Sequence, residues 1–346
     1  MQSQFAYGLA ILFFSCCPFA PGQDPVALRV ESFLVPPSTG PVICARVRNN
    51  TQTTQRANVS LAGPDGWKIT PASREVNLDP GKSLRVPFTI AAGKTVEANR
   101  YDMTLTAIVG EKTITKRQTV AVASAPYFKP TIDGKRDDWK DAIPASFETE
   151  GKTTTISTYW NRRQFSLLIA VEEDTLIPQT SGEKPAPFDA VQFALAPGGA
   201  KTGATPGSLT NRYEFLIAAQ KDGTAAVYQL AQPGMKIIAT QLPRQLKPYE
   251  DATAAVWHDD SVTYYECSLS FRPMRDDLQP SEGREICLST LVHDPDGTGL
   301  RDWGSALGLW PSQRNKLAWT RWPGAKWPET PPFDGKTEWG LCTSKY

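Results

Sequence analysis

Short runs that alternate apolar and polar residues, each closed by Gly, Pro, Asn or Asp, limit what this chain can fold into. Along Val42–Arg48, Ile43, Ala45 and Val47 share one face, while Arg46 and Arg48 take the other. From Tyr264 to Phe271 the alternation is strict, with Tyr265, Cys267, Leu269 and Phe271 together. A period of two is the period of a strand, and the same residues would scatter around a helix. Asn49-Asn50-Thr51, Gly63-Pro64-Asp65-Gly66, Asp79-Pro80-Gly81-Lys82 and Gly110-Glu111-Lys112 punctuate the first part of the chain as turns. Short strands at this spacing predict an all-β fold that begins with an immunoglobulin-like β-sandwich.

The 346 residues are too many for one ordinary domain. A stretch of small residues and Pro around Ala123–Lys129 suits a linker, and nine of the ten tryptophans lie beyond it. We therefore expect a first sandwich over residues 24–124 and a second over 127–346. Phe5–Phe14 is an uncharged apolar run too short to span a bilayer, with small residues at Ala20 and Gly22. Residues 1–22 read as a signal peptide, so the expected destination is secreted or periplasmic, at the cell envelope. No transmembrane segment is expected after cleavage. An alternative is lipid attachment at Cys16, although Phe13-Phe14-Ser15 is a poor lipobox.

Cleavage would leave Cys44, Cys267, Cys287 and Cys342, which allow three disulfide pairings or none. No pair has the Cys-x-x-Cys spacing of a zinc or redox site. Lys plus Arg number 37 and Asp plus Glu 36, a net charge of +1, which argues against a nucleic-acid partner.

In the second part, Ile132-Asp133-Gly134 with Trp139 makes a turn whose indole can plug the end of a sandwich. Thr154–Trp160 and Phe165–Val171 form a hairpin that ends at Glu172-Glu173-Asp174. Further strands are expected over Phe188–Leu195, Asn211–Ala218, Ala225–Leu230, Ile286–Val292 and Trp339–Thr343. Asp294-Pro295-Asp296-Gly297-Thr298-Gly299 reads first as a hairpin turn, and with Asp302 also looks like a calcium loop. It lacks the further acids and closing Glu of an EF-hand.

Two resemblances follow from these motifs. Gly66-Trp67-Lys68-Ile69, Leu78-Asp79-Pro80-Gly81-Lys82 and Arg100-Tyr101-Asp102 together resemble the immunoglobulin-like, NPCBM-associated type of accessory domain found beside bacterial carbohydrate-active modules. The ordered series from Ile132-Asp133-Gly134 and Trp139 resembles the family 9 carbohydrate-binding modules and the wider DOMON-like sandwiches. It runs through Trp160–Phe165, Asp189–Phe193, Tyr265–Leu269, Val292-His293-Asp294 and Trp339-Gly340-Leu341. The resemblance implies a larger, jelly-roll-like β-sandwich that binds a polysaccharide or oligosaccharide such as xylan. It also implies a structural calcium ion, for which Asp174, Asp189, Asp294, Asp296 and Asp302 are the candidate ligands.

The family's sugar clamp uses two Trp. Here Phe188 is the only aromatic before Asp189, while Trp310, Trp319, Trp322 and Trp327 compete for the second place. Trp319–Pro328 interleaves three Trp with Pro and Gly, a pattern unlike an inner strand. With Arg321 beside them, such rings suit stacking on pyranose faces, or they fold back over a sandwich edge. A structural or protein-interaction envelope protein that kept the sandwich without the clamp is the alternative.

Hydrolase, zinc-protease, P-loop and dinucleotide motifs are all absent. Glu214 and Glu266 sit on strands, where alternation is expected to turn lone acids to solvent. The expectation is a non-catalytic protein. A third reading, haem binding, would draw axial ligands from His258, His293 or Met235.

Overall fold

A computed structural model describes residues 24–180, 187–198, 212–235, 248–303 and 338–342. The first eight strands are β1 (Val26–Val30), β2 (Val42–Asn49), β3 (Gln55–Ala62), β4 (Lys68–Thr70), β5 (Arg74–Leu78), β6 (Ser83–Ala92), β7 (Tyr101–Val109) and β8 (Lys112–Val120). They make two four-stranded sheets, ordered β1-β2-β6-β4 and β5-β3-β7-β8, in an immunoglobulin-like sandwich. Alternation fills the space between them: Val86, Phe88 and Ile90 from one sheet meet Met103, Leu105 and Ala107 from the other, all fully buried. Each such large apolar side chain contributes roughly 1.5–3 kcal/mol by leaving water. Trp67 joins Phe33 and Tyr101 in an aromatic trio with centroids 5.4–6.0 Å apart, so its ring packs against the core.

The remaining strands are β9 (Ser124–Ala125), β10 (Ala145–Thr149), β11 (Lys152–Trp160), β12 (Gln164–Glu172), β13 (Ala190–Pro197), β14 (Tyr213–Ala219) and β15 (Ala225–Ala231). They continue with β16 (Ala252–Asp259), β17 (Val262–Ser270), β18 (Glu285–Asp294), β19 (Gly299–Trp303) and β20 (Glu338–Leu341). They build a five-stranded sheet, β10-β11-β12-β17-β16, and a larger sheet, β15-β14-β13-β18-β20-β9, with β19 paired to β18. This is the larger, jelly-roll-like sandwich, and its core runs from Ile156, Leu167 and Ile169 across to Phe193, Phe215 and Leu288.

The two sandwiches meet along an ion network. Strand register places Arg29 beside Arg46 and Arg46 beside Arg85. Their alternation turns all three away from the first core, where three adjacent cations would repel one another. Glu31 takes Arg46 Nε at 2.5 Å and Arg85 at 2.5 Å. Glu338 takes Arg29 at 2.7 Å, and Glu285 takes Arg85 at 3.1 Å. Three carboxylates thus answer three guanidinium groups. β20 also pairs in parallel with β9, the short strand that leads out of the first sandwich.

Cys44 and Cys267 are free thiols, so no disulfide involves them. Cys342 Sγ donates to Ala125 O at 3.4 Å, beside that same junction.

Candidate functional site

The inward-facing series of three strands end in acids at one end of the second core. On β12 and just past it the series is Phe165, Leu167, Ile169, Val171, then Glu173. On β18 it is Ile286, Leu288, Thr290, Val292, then Asp294. Entering β13 it is Asp189, then Val191, Phe193 and Leu195. Because side chains alternate strictly along a strand, each acid must point where its apolar predecessors point, between the sheets.

The result is a buried cluster of Glu173, Asp189 and Asp294, with one carboxylate oxygen from each within 4.8 Å of the other two. Arg301, fully buried on β19, donates to Asp294 Oδ2 at 2.6 Å. Thr298 gives that oxygen its backbone N–H and its hydroxyl, each at 2.9 Å. Asp189 Oδ2 accepts the Ile177 amide at 2.5 Å. Both oxygens of Glu173 and Asp189 Oδ1 are buried without a hydrogen-bond partner, and so is the Tyr265 hydroxyl beside them.

Burial, reinforced by the neighbouring carboxylates, pushes Glu173 up to about 8 and Asp189 up to about 7. Asp294 moves the other way: although burial opposes it, the Arg301 and Thr298 hydrogen bonds hold it below the ordinary carboxylate range. With all three ionised, one guanidinium would leave a net charge of two minus, which a bound cation would offset. Orphaned carboxylate oxygens at this spacing suit a hard divalent cation, whose oxygen ligands sit about 2.3–2.6 Å from the metal. The residues therefore fit a calcium ion.

Of the expected calcium ligands, Asp189 and Asp294 come together, and Glu173 replaces its neighbour. Asp174 is one step out of phase: it is exposed and pairs with Lys152 at 2.8 Å. Asp296 accepts from the Thr175 hydroxyl at 2.6 Å and stands outside the cluster. Asp302 alternates with the inward residues Arg301 and Trp303, and so falls on the opposite side of β19.

The expected sugar contacts divide differently. Phe188 is not a clamp residue: it is buried in a small cluster with Leu216, Ala218 and Tyr228. Trp310, Trp319, Arg321, Trp322 and Trp327 lie outside the described residues. Residues 1–22 lie outside them as well.

The two strand acids expected in solvent are both buried. Glu266 lies under the loop that opens the second sandwich, where it accepts Trp139 Nε1 at 2.8 Å and the Asp133 and Gly134 amides at 3.1 and 2.9 Å. Trp139 therefore caps the outer face of the five-stranded sheet, stacked on Tyr159 at 5.2 Å, instead of plugging the sandwich end. Glu214 lies on the outer side of the other sheet, with Gln192 Nε2 at 2.5 Å and Arg212 at 3.5 Å. Facing away from each other on opposite sheets, these acids do not form the facing carboxylate pair of a glycosidase.

The histidines are also separated. His293 bonds Gln192 Oε1 at 3.2 Å on the outer side of β18, and burial holds it well below its usual range. His258 bonds the Thr263 hydroxyl at 2.8 Å on the sheet across the core. The fold does not bring them together as axial ligands.

No curated protein matches the chain. Among solved structures, a family 9 carbohydrate-binding module from Caldicellulosiruptor kristjanssonii, in complexes with cellotriose and with glucose, aligns at 12% identity and a TM-score of 0.39. The alignments cover 64% of this chain and 93% and 95% of the module. The E. coli chaperone DraB aligns at 13% identity and a TM-score of 0.21, over 61% of this chain and 92% of that one. Residues 43–110 match the family model described as "NPCBM-associated, NEW3 domain of alpha-galactosidase", and within the first sandwich the chain is similar to that domain.

Proposed function

We propose that this is an exported, non-catalytic carbohydrate-binding protein whose second sandwich takes a polysaccharide or oligosaccharide and supports glycan degradation. One observation carries the reading. A sandwich matching a domain named from an α-galactosidase directly precedes a second sandwich bearing the ordered motif series of family 9 modules. The apolar run Phe5–Phe14 supports export. Trp310, Trp319, Trp322 and Trp327, with Arg321, are the proposed stacking residues.

Glu173, Asp189 and Asp294 would hold a structural calcium ion, which supplies positive charge between the two sheets. Around it, Arg301 and Thr298 orient Asp294, and the Ile177 amide orients Asp189.

Affinity electrophoresis of the full chain through xylan, soluble cellulose and galactomannan tests the sugar reading. Retention is expected, and joint replacement of Trp319, Trp322 and Trp327 by Ala should weaken it. A folded protein that no glycan retards would overturn the reading. For the ion, calcium at a hundred times its Kd should add about 2.7 kcal/mol of stability. Glu173→Gln should remove that gain, and an unchanged calcium response in this variant would refute the site.

A further inference from the structure

A groove of about 740 Å³ runs over the outer face of the five-stranded sheet, on the opposite side of that sheet from the acid cluster. Its size falls within the roughly 300–1,000 Å³ of ordinary ligand clefts. The groove exists because the outward positions of two central strands carry short side chains. Thr153, Thr155 and Ser157 follow one another at alternate places on β11, with Leu168 and Ala170 beside them on β12. Long polar side chains would fill such a face, whereas these leave a trough with hydroxyls along one side and aliphatic carbon along the other.

The wall is built by the opening loop. Trp139 and Tyr264 stand along it, and Arg136 lies over the Tyr264 ring at 5.0 Å and donates to its hydroxyl at 2.9 Å. Trp139 is fixed by Glu266 and by stacking on Tyr159. Glu172 is fixed by the Thr153 amide at 2.9 Å. The polar groups are thus held in place before any ligand arrives, which spares the ordering cost of binding.

The rim charges cancel: Arg136 and Lys140 stand against Asp137 and Glu172. Neither an anion nor a cation is favoured. The floor strands β11, β12 and β17 are paired on both sides, so the floor offers no free backbone edge for an added peptide strand. What remains is recognition by side chains alone, with apolar patches and hydroxyl partners in parallel rows. That is the chemistry of a pyranose chain, whose ring faces are apolar and whose edges are hydroxyls.

We propose that this groove binds a neutral oligosaccharide lengthwise across the sheet. The inference rests on the carbohydrate-binding reading and places a second ligand position within it. The test is methyl NMR of the full chain titrated with xylohexaose and cellohexaose. Signals of Thr153, Thr155, Ala170 and Val262 should shift. Thr155→Trp, which fills the trough, should suppress the shifts of Thr153, Ala170 and Val262 while thermal unfolding stays cooperative. If glycans retard the protein but the groove methyls of the wild type do not move, the groove is refuted and the sugar reading stands. If no glycan binds by either method, both fall. The wild-type titration decides the matter even if Thr155→Trp misfolds.

Discussion

Arg29 and Glu338, 309 residues apart in sequence, form a 2.7 Å ion pair at the seam between the two sandwiches. The pair belongs to the network in which Glu31, nearly fully buried, answers both Arg46 and Arg85. Removing one member of a buried pair strands its partner, typically at a cost of about 3–5 kcal/mol. Glu31→Gln should therefore lower the urea-unfolding free energy by an amount of that order. Arg56→Ala, which breaks the exposed Arg56–Glu75 pair, should cost under about 1 kcal/mol. Equal losses in the two variants would mean that the seam contributes no more than a surface contact.

Burial pushes the Glu214 carboxyl up to about 7, against the opposing pull of Arg212 and Gln192. Its folded pKa is thus above its unfolded one, so the folded chain binds the proton more tightly. Stability from this group is fully present below about 4.5 and is lost as pH rises through about 7. Melting temperatures taken from pH 4.5 to 7.5 should fall less steeply in Glu214→Gln than in the parent protein. Parallel curves would show that Glu214 is ionised throughout.

Phe188→Ala removes a buried ring from the cluster around Leu216 and Tyr228. A loss of about 3–5 kcal/mol in denaturant titrations is expected. Glycan affinity measured where the variant is still folded should not change, since this ring has no solvent face to offer a sugar.

Trp139→Phe keeps the ring over Tyr159 but takes away the donor to Glu266 Oε1. A buried acceptor left short of a partner typically costs about 1–3 kcal/mol. Glu266→Gln in the same background should recover part of that loss in thermal unfolding, because a neutral amide is cheaper to leave unpaired.

The strands were legible in the sequence wherever alternation was strict. Tyr265, Cys267, Leu269 and Phe271 face the core as their spacing requires. The same rule, carried one step past Val171 and Val292, reaches Glu173 and Asp294, while Asp174 falls on the wrong parity. The cluster was half visible for that reason, and Glu173 was hidden because a run of acids at a strand end looks like a turn. Glu266 was beyond reach. Its burial depends on Asp133, Gly134 and Trp139, more than a hundred residues upstream, folding over its face. The arginine row of Arg29, Arg46 and Arg85 needs strand register, which turn chemistry alone did not supply.

The place of β20 in the larger sheet has a consequence for biosynthesis. Ser124 leaves the ribosome 216 residues before Gly340, the strand residue it pairs with. Until β20 is made, the nascent first sandwich carries its arginine row without Glu338, and the larger sheet has an open slot between β9 and β18. A chain that stops before β20 keeps both features: an arginine row answered by Glu31 but not by Glu338, and two bare strand edges. Synthesis of β20 fills the slot and brings in Glu338 in one step, so chains with and without it present different surfaces to chaperones and proteases.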